Sequence, residues 1–167
     1  MENQRKLDFD FSDYELRIKA NSNGLEYYLI FNKGLFKNFE IECNVRLNKD
    51  ALFDVILRST GEEEYKDSYI ARFDSRITKD IKMSDRILIW SNKRNWWDEC
   101  NPKTKTSNSP PNQIINMKIV AIDNKISLYR NNVIIDSVNN AAEKYGKIGI
   151  CAETQDVYIK DFRIKPL

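Results

Sequence analysis

One group of candidate ligand-binding residues is associated with a polar stretch that contains two adjacent tryptophans, NKRNWWDECNPKTKTSNSPPNQ (92–113). Aromatic rings stack on the C–H faces of sugars because the contact buries apolar area at little entropic cost. Trp96 and Trp97, with Trp90 in the preceding strand, are therefore candidate ligand-binding residues. Because adjacent side chains of an extended chain point opposite ways, we expect one of the pair to be structural and the other exposed.

A second group of candidate ligand-binding residues combines two arginines with a tyrosine and an aspartate, namely Arg58, Tyr69, Arg72 and Asp74. If the apolar residues of each strand face the core, Arg58, Arg72 and Asp74 point to the other side. Two arginines on neighbouring strands could bind a carboxylate, a sulfate or sugar hydroxyls. They could equally form cross-strand ion pairs with Asp54 or Asp74.

Catalysis is restricted by the absence of histidine. Ser–His and Cys–His nucleophilic catalysis and histidine metal ligands are all excluded. A glycosidase would need two carboxylates ~5–5.5 Å or ~6.5–9.5 Å apart. The spacing of the available acidic residues pairs none of them, so we assign no catalytic residue and expect solvated surface charges. These acidic residues are Asp54, Asp74, Asp98, Glu99 and Glu153.

Metal and thiol chemistry have little support in the sequence. No D-x-[DN]-x-[DN]-G loop occurs, so no calcium ligands are assigned. Cys43 falls in the apolar register of its strand and is expected in the core, whereas Cys100 is the cysteine expected to expose its thiol. Three cysteines cannot all pair within one chain, which favours a reducing compartment.

The bulk properties predict one domain, residues 1–167, with a sizeable core. A net charge of +2 argues against a dedicated nucleic-acid binder. No apolar run approaches the ~20 residues of a membrane span, so no membrane partner is expected. The N-terminus MENQRKLDFDF lacks the apolar region of a signal peptide, so we expect a cytoplasmic protein, or an extracellular one if a leader has been removed. The sequence leaves monomer and homo-oligomer both open.

The elements that must position these residues are β-strands, because the hydrophobic period is two almost throughout. In FEIECNVRL (39–47) every second residue from Phe39 is apolar and the residues between are polar. About a dozen short strands, one short helical turn at most (139–146) and no βαβ rhythm predict an antiparallel sandwich. The strands are predicted near 7–11, 14–20, 25–31, 39–47, 52–60, 68–76, 86–91, 115–122, 125–130, 133–138, 147–153 and 157–165.

Turn residues and one change of parity refine this prediction. Asn23-Gly24, Asp123-Asn124 and Asn131-Asn132 tolerate the positive φ of tight two-residue turns. In the last strand the apolar positions change parity between Ile159 and Phe162, which predicts a β-bulge near Lys160–Asp161.

Three segments resemble a known family: FKNFEIECNVRL (36–47), INMKIVAIDNKISLYRNNVIID (115–136) and YGKIGICAETQDVYIKDFRIKPL (145–167). They resemble the concanavalin A-like jelly rolls of the laminin-G type. The closest similarity is to the bacterial domains related to 3-keto-disaccharide hydrolases, or glycoside-hydrolase-16-like domains. The resemblance implies two antiparallel sheets packed face to face, a ligand site on the concave sheet and, as in several relatives, calcium as a candidate cofactor.

The chain departs from this family where catalysis would be inherited. Ile70 and Arg72 follow Tyr69, where relatives tend to carry an acidic residue and a glutamine. No histidine follows the Gly146–Gly149 motif, where relatives often have one. The first hypothesis is therefore a non-catalytic module that binds a carbohydrate or related polar ligand with the concave sheet and the 92–113 loop.

Two other functions stay open. One is a glycoside hydrolase-like enzyme, which a converging carboxylate pair would favour. The other is a protein–protein interaction domain, which a flat apolar patch would favour. A groove with tryptophan and arginine but no carboxylate pair would favour the binding module.

Overall fold

The structure is a computed structural model that describes residues 9–12, 15–19, 27–59, 68–76, 84–91, 96–102, 107–139, 141 and 145–167. These residues form thirteen β-strands and no helix. The strands are β1 (Phe9–Ser12), β2 (Glu15–Ile18), β3 (Tyr27–Phe36), β4 (Phe39–Leu47), β5 (Leu52–Ser59), β6 (Tyr69–Asp74), β7 (Arg86–Ser91), β8 (Trp96–Glu99), β9 (Ile114–Ile122), β10 (Lys125–Arg130), β11 (Val133–Asn139), β12 (Gly146–Glu153) and β13 (Val157–Pro166).

The strands form two antiparallel sheets. The seven-stranded sheet has the order β1-β2-β13-β4-β9-β10-β11, and the six-stranded sheet has the order β3-β12-β5-β6-β7-β8. Strands distant in sequence are neighbours, as when β13 pairs with both β2 and β4. The predicted all-β, two-sheet antiparallel jelly roll of the concanavalin A type is therefore confirmed.

The core between the sheets follows from the alternation of the sequence. In β4 the residues from Phe39 to Leu47 alternate between buried and partly exposed positions. The buried set meets residues of the other sheet such as Phe53, Phe73 and Ile150 in one hydrophobic cluster. Cys43 belongs to this cluster, as predicted, and burial raises the pKa of its thiol.

The six-stranded sheet is buried on both faces at its centre. Every residue of β5 and β6 is buried, although only alternate residues face the core. Ile56, Ile70 and Leu88 form a second, separate apolar cluster in which each residue is the register partner of the next. This cluster marks the outer face of the six-stranded sheet, which is the face turned away from the core.

The predicted bulge and two of the predicted turns are present. The register of β13 against β4 shifts between Lys160 and Arg163, and Asp161 has a φ of 55°. The shift lets Phe162 and Ile164 pack against the same core as Ile159. Positive φ also occurs at the expected hairpin turns, at Asp123 and at the Asn131-Asn132 pair.

The prediction of one loop over residues 92–113 is wrong at residues 96–99, which form β8 on the edge of β7. The prolines of this stretch, at positions 102, 110 and 111, all follow β8, so they leave its backbone free to pair. The predicted Asn23-Gly24 turn and half of the predicted 139–146 helical turn, residues 140 and 142–144, lie outside the described residues. Within the part of the chain that the structure describes, no helix is long and apolar enough to cross a membrane.

Candidate functional site

Five charged residues lie across the outer face of the six-stranded sheet, one on each of five adjacent strands. In sheet order from β12 to β8 they are Glu153, Asp54, Arg72, Arg86 and Glu99, and we call them the charged stripe. Their outward placement follows from alternation, because the residues beside them, such as Phe53, Phe73 and Ile87, belong to the core.

Arg72 forms the centre of the stripe. Its Nε and Nη2 donate to the two carboxylate oxygens of Asp54 at 2.9 and 2.7 Å. Its Nη2 also lies 3.9 Å from Oε1 of Glu153. Burial lowers the pKa of Arg72, but the charge and hydrogen bonds of Asp54, with the charges of Glu153 and Asp74, outweigh burial and hold that pKa above its ordinary value.

Arg86 forms the second ion pair of the stripe. Its Nη1 lies 2.8 Å from Oε2 of Glu99, and its Nε and Nη2 donate to Ser84 Oγ at 3.3 and 3.1 Å. Arg86 is the register partner of Arg72, so two guanidinium groups occupy directly opposed positions. Like charges in that arrangement repel, and here each arginine has a carboxylate on the strand beyond it.

Exposure differs systematically along the stripe. The side chains of Arg86, Asp54 and Arg72 are 2, 5 and 9% exposed, whereas those of Glu99 and Glu153 are 16 and 19% exposed. The two arginines are therefore buried within the stripe, and the two glutamates are its members that are partly exposed to solvent.

Arg58 does not join the stripe, so its predicted outward direction is wrong. The register between β5 and β12 gains one residue on β5 at this point, and Arg58 has a φ of 55°. This bulge breaks the alternation, and the fully buried side chain donates from Nη2 to the carbonyl of Lys37 at 3.1 Å. Burial lowers the pKa of Arg58, opposed by the nearby Tyr69 and Asp123.

Close packing of β12 accompanies the bulge at Arg58. A Cβ added at Gly146 would lie 2.3 Å from the carbonyl carbon of Arg58. That contact is with backbone, which cannot move aside as a flexible side chain can, so only glycine fits at position 146.

Tyr69 and Asp74 are also engaged within the fold. Tyr69 is 3% exposed and belongs to the core cluster. Asp74 is fully buried, and its two oxygens accept bonds from Nε and Nη2 of Arg76 at 2.6 to 3.1 Å. Of the predicted group Arg58, Tyr69, Arg72 and Asp74, only Arg72 therefore lies in the charged stripe. Asp74 affects the stripe through its charge, which raises the pKa of Arg72.

The three tryptophans lie in the β7–β8 hairpin. In the register Trp90 is opposite Trp97, and Ser91 is opposite Trp96. Their side chains lie outside the described part of the structure, so the predicted roles of Trp90, Trp96 and Trp97 stay predictions.

The acidic residues expected to be solvated are not uniformly so. Asp54 and Asp74 are buried, which makes that expectation wrong for both, since each is bound bidentately by an arginine. Asp54 and Glu153 also converge on one guanidinium. Their nearest oxygens lie 2.7 and 3.9 Å from Arg72 Nη2, so these two oxygens are no further apart than the sum of those distances, 6.6 Å.

Sequence reasoning missed Arg86 and the pairing of Glu99. The parity of Arg86, opposite to Ile87 and Ile89, was a usable signal that it shares a face with Arg72. The position of Glu99 carried no such signal, because β8 was not predicted and its register was therefore unknown.

Thiol and metal chemistry gain no site from the described residues. Cys100 is half-buried against the core, and it is the least buried of the three cysteines, in line with the prediction. Burial, with the charge of Asp136, raises the pKa of its thiol to about 12. Across the described ranges, no three Cys, Asp or Glu side chains are grouped so that they could hold a metal ion.

A second buried polar cluster surrounds Asp85, the residue that directly precedes β7. The carboxylate of Asp85 accepts bonds from Asp74 N, from Ser109 N and Oγ, and from Arg130 Nη1. Burial raises the pKa of Asp85 to about 6, although these hydrogen bonds and the charge of Arg130 act in the opposite direction. Asp85 therefore holds the segment around Ser109 by hydrogen bonds. Through Arg130 it also connects β10 of the seven-stranded sheet to the six-stranded sheet.

A family model and several solved structures are similar to this chain. Residues 15–165 match the model of the family described as the 3-keto-alpha-glucoside-1,2-lyase-like domain. The curated proteins gave no match.

Solved structures similar to this chain share little of its sequence. The carbohydrate binding module CBM66 from Bacillus subtilis has a TM-score of 0.72 at 10% identity, covering 96% of this chain and 92% of that one. A putative glycosyl hydrolase from Parabacteroides distasonis has a TM-score of 0.67 at 12% identity, with 95% and 90% covered. The Ca²⁺/Man3GlcNAc-bound exoplasmic/lumenal domain of VIP36 has a TM-score of 0.65 at 11% identity, with 97% and 82% covered. At these identities the similarity establishes the fold.

Proposed function

The chain belongs to the 3-keto-alpha-glucoside-1,2-lyase-like domain family, and from that premise we propose that it is a non-catalytic carbohydrate-binding domain whose ligand surface is the charged stripe. The proposal rests on one observation: a row of buried arginine–carboxylate pairs on the face of a sheet that has no packing role in the core. Charged groups are costly to bury for stability alone, so their placement together favours a binding role.

The chemistry of the stripe suits a polyhydroxylated ligand. The partly exposed carboxylates of Glu99 and Glu153 can accept hydrogen bonds from sugar hydroxyls, and a carboxylate held by a guanidinium keeps a fixed orientation. The stripe crosses five strands, which at ~4.8 Å per strand is about 19 Å from Glu153 to Glu99. That span exceeds one sugar ring, so we propose an oligosaccharide as the ligand.

Similar structures support this proposal at the level of the fold. Their names include a carbohydrate binding module and a sugar-bound domain. The same sandwich hosts enzymes and other binding proteins, so the assignment to this chain depends on its own residues.

The experiment is a glycan-array screen, run with and without calcium, followed by calorimetric titration of the best binders. We expect Glu99→Gln to weaken binding, because the variant removes a charged acceptor at the solvent-facing end of the stripe. Glu40→Gln is the matched control: Glu40 is also a half-buried glutamate in an ion pair, with Lys118 at 3.3 Å, but it lies on the seven-stranded sheet. An array without any bound glycan, or equal losses in both variants, would contradict the proposal.

A second function is favoured by the convergence of Asp54 and Glu153 on Arg72. The family description points to elimination across C1 and C2 of a 3-keto glucoside, in which a base removes the C2 proton next to the ketone. Glu153, the more exposed of the two carboxylates, is the candidate base. Turnover of a 3-keto-α-glucoside by the wild type, abolished in Glu153→Gln, would establish this alternative; no turnover with intact sugar binding would retain the binding module.

A further inference from the structure

We infer that the charged stripe selects its ligand by charge, binding neutral and amino sugars and rejecting uronic and sulfated sugars. This inference rests on the proposed function, since it specifies the ligand of that same site. It also narrows the sequence-based expectation, in which the arginines could have bound a carboxylate or a sulfate.

The guanidinium groups of the stripe donate to partners within the sheet. Arg72 donates from Nε and Nη2 to both oxygens of Asp54, and Arg86 is engaged with Glu99 and Ser84. An anionic sugar could bind the Nε–Nη2 edge of Arg72 only by displacing Asp54, which would then remain in the sheet as a buried carboxylate without its cation. Separating a buried pair in this way is strongly unfavourable, so these arginines are poor receptors for an added anion.

The atoms of the stripe that are accessible to a ligand are mainly carboxylate oxygens. The partly exposed members are Glu99 and Glu153, whereas the arginines and Asp54 are at most 9% exposed. A carboxylate accepts hydrogen bonds and donates none. A ligand that meets these two glutamates must therefore bring donors, which are hydroxyl groups in a neutral sugar and an ammonium group in an amino sugar.

The stripe contains two guanidinium groups and three carboxylates. Among these five side chains the carboxylates outnumber the guanidinium groups by one, which favours an ammonium group over a carboxylate or sulfate. The neighbouring Asp74–Arg76 ion pair adds no net charge.

The experiment uses matched sets of oligosaccharides on one array. Each set has one linkage, β-1,4, β-1,3 or α-1,4, and one length, and comprises the glucose chain, the glucosamine chain, the N-acetylglucosamine chain and the glucuronic acid chain. Within the set that binds, we expect the glucosamine chain to bind about fivefold more tightly than its N-acetylated counterpart, which is the scale of one partly exposed ion pair. We expect the glucuronic acid chain to bind more weakly than the glucose chain.

Variants assign this selectivity to the stripe. Glu153→Gln should remove most of the preference for glucosamine over N-acetylglucosamine, since it removes one negative charge. Glu15→Gln is the matched control, because Glu15 has similar exposure, 21% against 19%, and an arginine partner at 3.5 Å, but lies on the seven-stranded sheet. The control should keep the wild-type preference.

The outcomes separate this inference from the function on which it rests. Tightest binding of the glucuronic acid chain, or a glucosamine preference that survives in Glu153→Gln, overturns the charge selectivity while sugar binding stands. Failure of every chain on the array to bind overturns the proposed function, and the selectivity with it.

Discussion

At the scale of single residues, Arg72 is the side chain on which the outer face of the six-stranded sheet depends. It is buried, it binds Asp54 through two hydrogen bonds, and it lies opposite a second arginine. A buried pair of this kind contributes little net stability relative to apolar residues, but removing one partner leaves the other charge uncompensated. We therefore expect the free energy of unfolding to fall when one member of the pair is replaced, and to be largely retained when both are replaced by apolar residues.

Substitution of Arg72 by alanine should lower the free energy of unfolding by about 3–5 kcal/mol, because Asp54 stays buried without its cation. Lys118→Ala, which removes a partly exposed ion pair with Glu40, should cost no more than about 1 kcal/mol. Urea unfolding measures both values. The double variant Asp54→Leu/Arg72→Met should recover most of the loss, and equal effects of Arg72→Ala and Lys118→Ala would show that the Arg72 pair is not a buried one in solution.

Asp85 gives a prediction about pH. Its pKa rises from 3.8 to about 6 on folding, so the folded state binds its proton more tightly than the unfolded state. The resulting contribution to stability is fully present below pH 3.8 and is lost as pH rises through about 6, a change of about 2–3 kcal/mol at about 1.4 kcal/mol per pKa unit. Wild-type stability minus that of Asp85→Asn should therefore decrease between pH 4 and pH 6 and be constant above pH 7. Urea unfolding across this range tests it, and a difference that increases with pH would contradict the raised pKa.

At the scale of elements, bulges decide which residues face the core. The bulge in β13 was predictable because apolar residues change parity across Lys160–Asp161, and burial of Phe162 and Ile164 enforces it. The bulge at Arg58 was not, because the flanking residues of β5 keep a regular pattern. It is accompanied by a contact distant in sequence, the close approach of Gly146 to the backbone of Arg58.

The β13 bulge predicts a difference between two adjacent exposed positions. Asp161 has a φ of 55°, where β-branched residues are strongly disfavoured. Asp161→Val should therefore cost about 1–3 kcal/mol, which includes the loss of the hydrogen bond from Asn44 Nδ2. Lys160→Val, one residue earlier and also exposed, should change stability by less than about 0.5 kcal/mol. Comparison of the urea midpoints of the two variants tests this prediction. Equal losses of stability would show that the backbone conformation at Asp161 is not the reason for the loss.

The β7–β8 hairpin predicts which tryptophan matters for binding. Trp97 has the same strand parity as Glu99, a member of the charged stripe, whereas Trp96 has the opposite parity. We therefore expect Trp97→Ala to reduce oligosaccharide affinity by about tenfold or more, since truncating an aromatic anchor of a binding surface costs ~2 kcal/mol or more, and Trp96→Ala to leave affinity nearly unchanged. Titration of both variants against the same sugar tests the assignment, which a larger loss in Trp96→Ala would reverse.

At the scale of the whole molecule, the strand pattern was readable from the sequence because the core selects it locally. The twelve predicted strands are all present, and in strands such as β4 and β9 the alternation follows from one buried face. The candidate site was less readable. The register that sets Asp54 beside Arg72, and Arg72 beside Arg86, joins segments distant in sequence. The alternation of the chain gives the face of each residue, and only the sheet order gives its neighbours.

The proposed function makes the outer face of the six-stranded sheet the sugar-binding surface. Backbone-amide NMR locates the bound sugar, by titrating the labelled protein with the tightest oligosaccharide from the array. We expect chemical-shift changes concentrated in β5, β6, β7, β8 and β12, and none beyond noise in β9 and β10 of the other sheet. Shift changes confined to the seven-stranded sheet would contradict it.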